Sequence, residues 1–519
     1  MTPKSLPRDL YRADQVRALD ACAIKEFGIA GMTLMERAGQ AAFAIIQRQW
    51  PDARRIVVCC GGGNNGGDGY VVASLARRAG KDVTVVHVGS REALAGDARA
   101  AMQQAVAAQV PMLDALDPAL QLDQVVGGTA DLIVDALLGT GLKGNVRSDC
   151  IGLIEAINGC GVPVLALDIP SGLCADTGTQ RGPAVRADAT VTFVGLKQGL
   201  FTGRGPALCG DIHCDELMVP REVYARVKAS CERIDAGLIA NLLPRRARDA
   251  HKGRFGHVLV IGGDHGYAGA VLMAAEAAAR VGAGLVSVAT RPEHVMPFIA
   301  RRPELMVHGI SQPAELEALL AKVTVVIAGP GLGTAAWGRG LLERAMRSAQ
   351  PMVLDADALN LIAVGAIDAF AARRRDPHWV LTPHPGEAGR LLNLDGAAVQ
   401  ADRFHAARSV QMRFGGTVLL KGAGTLIDDG DLRPVSVATV GNPGMASGGM
   451  GDILSGVIGG LIAQGLSLPD AARVGAVVHG AAADRCAARH GERGLLATDL
   501  LGYLRELVNG LVVGTHTHS

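Results

Sequence analysis

Short apolar runs, many of them ending in a glycine- or aspartate-bearing loop, recur along this chain, and helical stretches fall between them. The runs cover residues 56–60, 83–88, 132–136, 164–168 and 190–194, with helical segments such as 70–79 and 97–108 in between. This is the rhythm of strands joined by crossover helices, and it makes a parallel sheet covered on both faces. Ahead of it, residues 14–49 carry helical periodicity at Val16, Leu19, Ile24, Leu34, Met35 and Ala38, interrupted near residues 28–31. From 215 to 251 the rhythm stops: charges increase, Pro220 and Pro244 appear, and Arg245, Arg246 and Arg248 cluster. It restarts with runs at 257–261, 285–289, 323–328, 352–354, 380–381 and 417–420. A chain of 519 residues is too long for one ordinary core. The break therefore divides it into two α/β domains, 1–225 and 226–519. The second has glycine-rich segments of different wording, so it is a separate sheet and not a sequence repeat of the first.

The formal net charge is +1, which gives no electrostatic case for nucleic acid or an anionic membrane as a partner. The ten cysteines show no C-x-x-C pair and no zinc spacing. Reduced core thiols in a cytoplasmic protein are the expectation, with Cys59 and Cys60 in a buried strand. The amino terminus has no apolar signal core, and no apolar run is long enough to cross a membrane. Met296, Met306 and Met352 are expected in the core.

In the first domain the run at 56–60 leads into GGGNNGGDG, residues 61–69. Six glycines in nine residues are costly to order, so such a loop exists to bring backbone close to a ligand. It lacks the lysine of a P-loop and does not read G-x-G-x-x-G. Its amides and the following helix N-terminus suit an anion. Asn65 offers an oxygen to a monovalent cation, and Asp68 fits either a helix cap or a partner for a sugar hydroxyl. A capped tight turn is the plain alternative for the whole loop. Three more segments end strands at the same sheet edge: DALLGTGLKG from Asp135, DIPSG from Asp168, and Gly195-Leu196-Lys197. Carboxylates at the ends of apolar strands need partners. Asp135 can share a cation with Asn65 and Ser171, and Asp168 suits acid/base work; either also fits a structural cap.

In the second domain GNPGMASGGMGDILSG, residues 441–456, is the richest signal. Amides around Gly448, Gly449, Met450 and Gly451 make an anion hole at a helix start, with Asp452 in the first turn. Donors that neutralise phosphate beside a carboxylate that takes a hydroxyl proton are what phosphoryl transfer needs. KGAGT, Lys421 to Thr425, suits nucleotide phosphates, and LTPHPGE supplies a strand-end His384. GPGLG at 329–333 and DADALN at 355–360 are further strand-end loops.

NNGGDG, DALLGTGLKG, LDIPSGLCADTG and FTGRGPALCGDI resemble the amino-terminal domain of the NAD(P)H-hydrate repair enzymes, a Rossmann-like NAD(P)HX epimerase. KGRFGHVLVIGG, GYAGA, GPGLG, DADALN, LTPHPGE and the Asp452 loop resemble the ribokinase-like ADP-dependent NAD(P)HX dehydratase. The resemblances cover about 10–215 and 235–505. They imply an α/β chain with a Rossmann-like three-layer αβα domain followed by a ribokinase-like α/β domain. In the first domain, Asn64, Asn65, Gly66, Gly67, Asp68, Gly139, Thr140, Gly141, Leu142, Lys143, Gly144 and Asn145 are implied to bind the hydrated dinucleotide. Potassium is implied at Asn65, Asp135 and Ser171, with Asp168 at the reacting ring. In the second, ADP is implied at Lys421, Gly422, Ala423, Gly424 and Thr425. It is implied also at Asn442, Gly444, Ser447, Gly448, Gly449, Met450 and Gly451. The hydrated nicotinamide is implied near Ala270, Gly333, His384 and Asp452, with Mg2+ bridging the nucleotide phosphates. Met450 stands where the wider superfamily often has a small residue or Thr, so only its backbone amide is expected to act.

The expected activity is therefore metabolite repair. R and S NAD(P)HX are epimerised, and the S form is dehydrated to NAD(P)H as ADP becomes AMP and phosphate. A homo-oligomer is expected, with only small molecules as other partners. The alternative in chemistry is a ribokinase-like small-molecule kinase. The alternative in class makes the first domain a dinucleotide-binding or scaffold module.

Overall fold

The computed structural model describes residues 6–128, 130–142, 144–367, 378–430 and 433–510. The chain divides into two compact units, Met1–Glu232 and Arg233–Ser519.

The first unit is built on seven strands: β1 (Arg55–Cys60), β2 (Asp82–His87), β3 (Met112–Asp114), β4 (Leu132–Ala136), β5 (Val164–Leu167), β6 (Ala189–Phe193) and β7 (Asp211–Asp215). They lie in the order β3-β2-β1-β4-β5-β6-β7, every pair parallel. Along β1 the side chains alternate between two apolar layers: Ile56, Val58 and Cys60 enter one, Val57 and Cys59 the other. Both faces are buried, which is why the strand reads as an uninterrupted apolar run. Two helices border the functional edge, α1 (Ala13–Lys25) and α2 (Asn64–Arg78). The strand order reverses between β1 and β4, and the carboxyl ends on either side of that reversal are where such sheets hold ligands.

The second unit has β8 (His257–Ile261), β9 (Leu285–Thr290), β10 (Met306–Gly309), β11 (Val325–Ala328), β12 (Met352–Leu354), β13 (Trp379–Leu381), β14 (Thr417–Leu420), β15 (Thr425–Asp428) and β16 (Val435–Ala438). Their order is β10-β9-β8-β11-β12-β13-β14-β15-β16. The pairs through β14 are parallel, but β14-β15 and β15-β16 are antiparallel. The antiparallel extension is absent from the sequence reading, because short turns such as 421–424 look like binding loops. The switch point lies between β8 and β11.

Helices α3 (Ala268–Val281), α4 (Ala356–Ala363), α5 (Pro385–Leu392), α6 (Met450–Ala463) and α7 (Leu468–His490) complete the parts of this unit that matter for its chemistry. Helix α6 is buried almost all round. Its glycines set how close it sits: a Cβ on Gly456 would collide with the Ala274 carbonyl on α3, and one on Gly460 would lie 2.6 Å from Val281 Cγ2. A helix clamped in this way has little freedom to tilt, so its first turn is held in place. Of the three methionines assigned to the core, Met352 is buried and Met306 half-buried. Met296 is 73% exposed on a helix of only seven residues, Val295–Arg301, whose buried face is filled by Phe298.

Candidate active sites

At the first switch point Gly61 N donates to Ala136 O at 3.0 Å, tying the loop after β1 to the end of β4. Gly66 has no room for a side chain, since a Cβ would strike the Gly61 carbonyl; a Cβ on Gly67 would lie 2.6 Å from Met35 Cε. The loop therefore closes directly into α2, which starts at Asn64, and no side chain caps it. Asp68 is thus not the cap; it lies one turn inside the helix.

Asp135 at the end of β4 is fully buried. It accepts Ser171 Oγ at 2.6 Å, Ser171 N at 2.8 Å and Leu137 N at 3.2 Å. Burial pushes its carboxyl up to about 6 against these hydrogen bonds. Ser171 Oγ also accepts Leu138 N at 2.8 Å. One residue further, a Cβ on Gly139 would sit 3.6 Å from Asn65 Oδ1. Asn65 is 8% exposed, and neither its amide oxygen nor its amide nitrogen has a hydrogen-bond partner. Of the three expected cation ligands, Asp135 and Ser171 are bonded to each other, and Asn65 lies against Gly139 of the following loop. Asn64, Gly141, Gly144 and Asn145 are exposed and Thr140 and Leu142 half-buried around the same edge, while Lys143 lies outside the described residues.

Asp168 follows β5 with φ +65°, a left-handed conformation uncommon outside glycine. Its Oδ1 is paired with Lys197 Nζ and lies 3.4 Å from Phe193 N. Lys197 is 1% exposed and also donates to Thr192 Oγ1 and Phe193 O, each at 2.9 Å. The lysine is a candidate site residue to which sequence analysis assigns no role, although a charge closing an apolar strand is the available signal. Asp20, on α1, was not anticipated at all.

In the second unit, Asp355 caps α4 and collects three donors. These are Ala356 N at 2.9 Å, Lys421 Nζ at 2.8 Å and Ser455 Oγ of α6 at 2.7 Å. Lys421 Nζ is also 3.7 Å from Glu387 Oε2, and a Cβ on Gly451 would meet it at 3.2 Å. The ammonium therefore sits among carboxylates beside the start of α6. Asp452 is half-buried there, and no described residue donates a hydrogen bond to it. Burial first, and then the charge of Asp355, push its carboxyl up to about 7.

Gly449, with φ +89°, turns the chain into α6, so the amides of Met450, Gly451 and Asp452 begin a helix with no carbonyl one turn back. The Met450 side chain is buried, leaving its backbone for any ligand. The loop before it is anchored from α7: Asp484 accepts Gly441 N at 2.8 Å and Asn442 Nδ2 at 2.9 Å. Asn442 Oδ1 accepts Gly444 N, and Ser447 Oγ donates to Leu495 O. Arg403, 1% exposed, donates to the carbonyls of Leu420, Lys421 and Gly424, shaping the 421–425 turn, in which Gly422 and Ala423 are exposed.

Gly333 N donates to Asp357 Oδ2 at 2.9 Å, and Gly331 packs against Ala270 of α3. His384 caps α5, its Nδ1 accepting Gly386 N and Glu387 N, while its Nε2 lies 3.3 Å from Glu387 Oε1. Ala270 lies against Gly331, two residues before Gly333 in the loop at the switch point, and His384 joins the Lys421 cluster through Glu387. Asp355, Asp357, Glu387, Arg403 and Asp484 were missing from the sequence-derived set. Asp355, Asp357 and Glu387 stand inside motifs that had been singled out, but Arg403 and Asp484 carry no local signal.

Two doubly wound sheets, each with a helix-start amide cradle facing carboxylates at its switch point, define a two-module enzyme for phosphorylated small molecules. The family model described as NAD(P)H-hydrate dehydratase matches residues 258–506, and that described as YjeF-related protein N-terminus matches 31–199. The bifunctional NAD(P)H-hydrate repair enzyme Nnr of Coxiella burnetii is 51% identical over 96% of this chain and 99% of its own length. The enzyme of the same name from Escherichia coli is 44% identical over 98% and 95%. A ribokinase-like superfamily protein of Enterococcus faecalis, a solved structure, superposes with a TM-score of 0.50 at 29% identity. It covers 55% of this chain and 97% of its own. The chain belongs to the bifunctional NAD(P)H-hydrate repair enzymes.

Proposed function

We propose that the first unit interconverts the R and S forms of hydrated NAD(P)H at the β1–β4 switch point, and that the second dehydrates the S form with ADP at the start of α6. The observation that carries this reading is Asp452. It is an unpartnered carboxylate in the first turn of a helix whose free amides face the same space, with the Lys421–Asp355 pair behind it. Asp452 takes the proton of the ring hydroxyl, and that oxygen attacks the terminal phosphorus of ADP, releasing AMP. The phosphate then leaves with the C–O electrons, a proton leaves the adjacent carbon, and NAD(P)H remains.

The 421–425 turn and residues 442–451 hold ADP through backbone amides. Magnesium would be held mainly by the nucleotide's own phosphates and by water beside the 442–451 segment. Among the described residues no three acidic, His or Cys side chains converge into a cage, and Mg2+ commonly keeps waters and substrate phosphates as most of its ligands. When bound, it neutralises charge on the transferring phosphoryl group. Potassium fits the first site for a different reason. Asp135 is buried with only neutral donors, and Asn65 Oδ1 is buried without a partner. The ion would offset that buried charge and hold residues 139–142 to α2.

Among the described residues no helix is long and apolar enough to cross a membrane. The ten cysteines are all free, which supports a reducing, cytoplasmic setting. The homo-oligomer expected from sequence remains part of this reading, with light scattering of the purified protein as its measurement.

The deciding assay incubates the full chain with mixed NADHX epimers, with and without ADP, and follows NADH absorbance. NADH should form only with ADP and should account for both epimers. Accumulation of a stable phosphorylated substrate without NADH would favour the kinase alternative. Asp484 gives a second test. Asp484→Ala removes the carboxylate that orders Gly441 and Asn442, a loss on the order of 1.5–3 kcal/mol for hydrogen bonds to a charged group. The expected result is a KM for ADP raised about tenfold or more, with kcat changed little at saturating ADP. An unchanged KM would remove this loop from the nucleotide site.

A further inference from the structure

Apart from Asp135, which is bonded to Ser171, the first site holds three aspartates and one ammonium. Asp168 is paired with Lys197, whose other hydrogen bonds go to Thr192 and Phe193. Asp68 on α2 and Asp20 on α1 are half-buried, and no described residue donates a hydrogen bond to either carboxylate. Helix α1 is part of this site although the matched family segment begins only at residue 31. The strand Asp9–Tyr11 leading into it runs parallel to Leu196–Lys197, with Tyr11 opposite Lys197. Arg17, one turn before Asp20, donates to Thr140 O of the 139–145 loop. One turn before Asp68, the Asn65 amide is buried with both polar atoms unpaired, as expected for a surface that closes on a ligand.

One ammonium cannot balance three carboxylates, and a half-buried carboxylate without donors is costly unless it takes a proton. Asp68 is pushed well above the ordinary carboxylate range by burial, then by the charges of Asp168 and Asp20, with Lys197 opposing. Burial pushes Asp20 up to about 6. Other titratable groups facing the cluster are the thiols of Cys60, beneath α2, and Cys214, near Lys197, and the phenol of Tyr224, near Asp20; burial raises all three, so they stay neutral. A carboxyl that keeps its proton beside one held in an ion pair with Lys197 marks out an acid and a base.

We propose that Asp68 is the proton donor of the first site and Asp168 its proton acceptor, with Lys197 holding the acceptor and the charge of Asp20 keeping the proton on the donor. The proposal rests on placing epimerisation at this switch point. Asp68 gives its proton to the ring hydroxyl as the C–O bond breaks; water leaves, and the ring-nitrogen lone pair forms C=N. Water then adds to the opposite face of the same carbon, the C=N electrons return to nitrogen, and Asp168 takes the proton released. One proton has moved from Asp68 to Asp168, and exchange with solvent restores both.

The test follows conversion of the pure S epimer to R by chromatography, without ADP, at each pH and net of the spontaneous rate. Wild type should lose activity at high pH as the donor gives up its proton. Asp68→Asn should lower the enzymatic rate by about two to four orders of magnitude and abolish that alkaline limb. Asp20→Asn removes a negative charge that favours protonated Asp68, so the limb should move to lower pH by about one unit. A mere folding defect lowers amplitude without moving a limb. Wild-type rates in Asp68→Asn, or an unmoved limb in Asp20→Asn, would overturn the proposal. A wild-type enzyme with no epimerising activity would instead overturn the assignment of the site.

Discussion

In the Asp452→Asn enzyme, ADP-dependent formation of NADH from the S epimer should fall by about two to four orders of magnitude, the usual cost of losing a positioned base. ADP binding should survive, because the amides at the start of α6 and the Asp484-anchored loop are untouched. The pH profile carries a second signature. A base must be ionised to act, and burial beside Asp355 pushes Asp452 up to about 7. Activity should therefore be low in acid and rise through about pH 7. In the variant that rise should be absent from the residual rate. Steady-state rates between pH 5.5 and 8.5, with ADP binding measured by calorimetry, check both. Near-normal turnover would remove Asp452 from the mechanism, and loss of ADP binding would make it structural.

Asp168→Asn should separate the two activities of one chain. Asparagine tolerates the left-handed backbone at this position better than most residues, so the exchange tests charge rather than fold. It also leaves Lys197 buried without its ion-pair partner, and a thermal melt should show that as a marked loss of stability. With ADP in excess, the S epimer should still be dehydrated at the wild-type rate. The R epimer should then disappear only as fast as it epimerises spontaneously. A single continuous phase in wild type should become a fast phase followed by a slow one. If both epimers were consumed at wild-type speed, Asp168 would be structural and the acceptor in the first site would have to be sought elsewhere.

Most of the fold was legible because a parallel strand buried on both faces must be apolar at nearly every position. The runs at 132–136 and 417–420 coincide with β4 and β14. What escaped were strands without that constraint. β3 and β7 lie at the two edges of the first sheet, where one side is free and the apolar run is short or polar. β15 and β16 extend the second sheet by antiparallel pairing, which short turns produce and a crossover rhythm does not announce. The junction was placed at 225 because the rhythm stops there, whereas the compact units divide after Glu232.

The candidate sites divide in the same way. Glycine loops that follow strands could be read directly, since only glycine fits where the Gly61 carbonyl blocks a Cβ at position 66. Asp168 and Asp452 could be singled out as candidates because charged groups rarely stand beside such loops without cause. Local sequence determined the two α/β modules, the glycine loops at their strand ends and the carboxylates within them. Tertiary structure alone decided which distant groups tune those carboxylates. It brought Lys197 and Asp20 to Asp168 across long stretches of chain, set Lys421 between Asp355 and Glu387, and placed Asp484 under the 441–444 loop. The reason is physical: a loop's need for glycine is local sterics, written at the position itself. The protonation state of a buried carboxyl depends on burial and on charges within a few ångströms, and neither exists until the chain has folded.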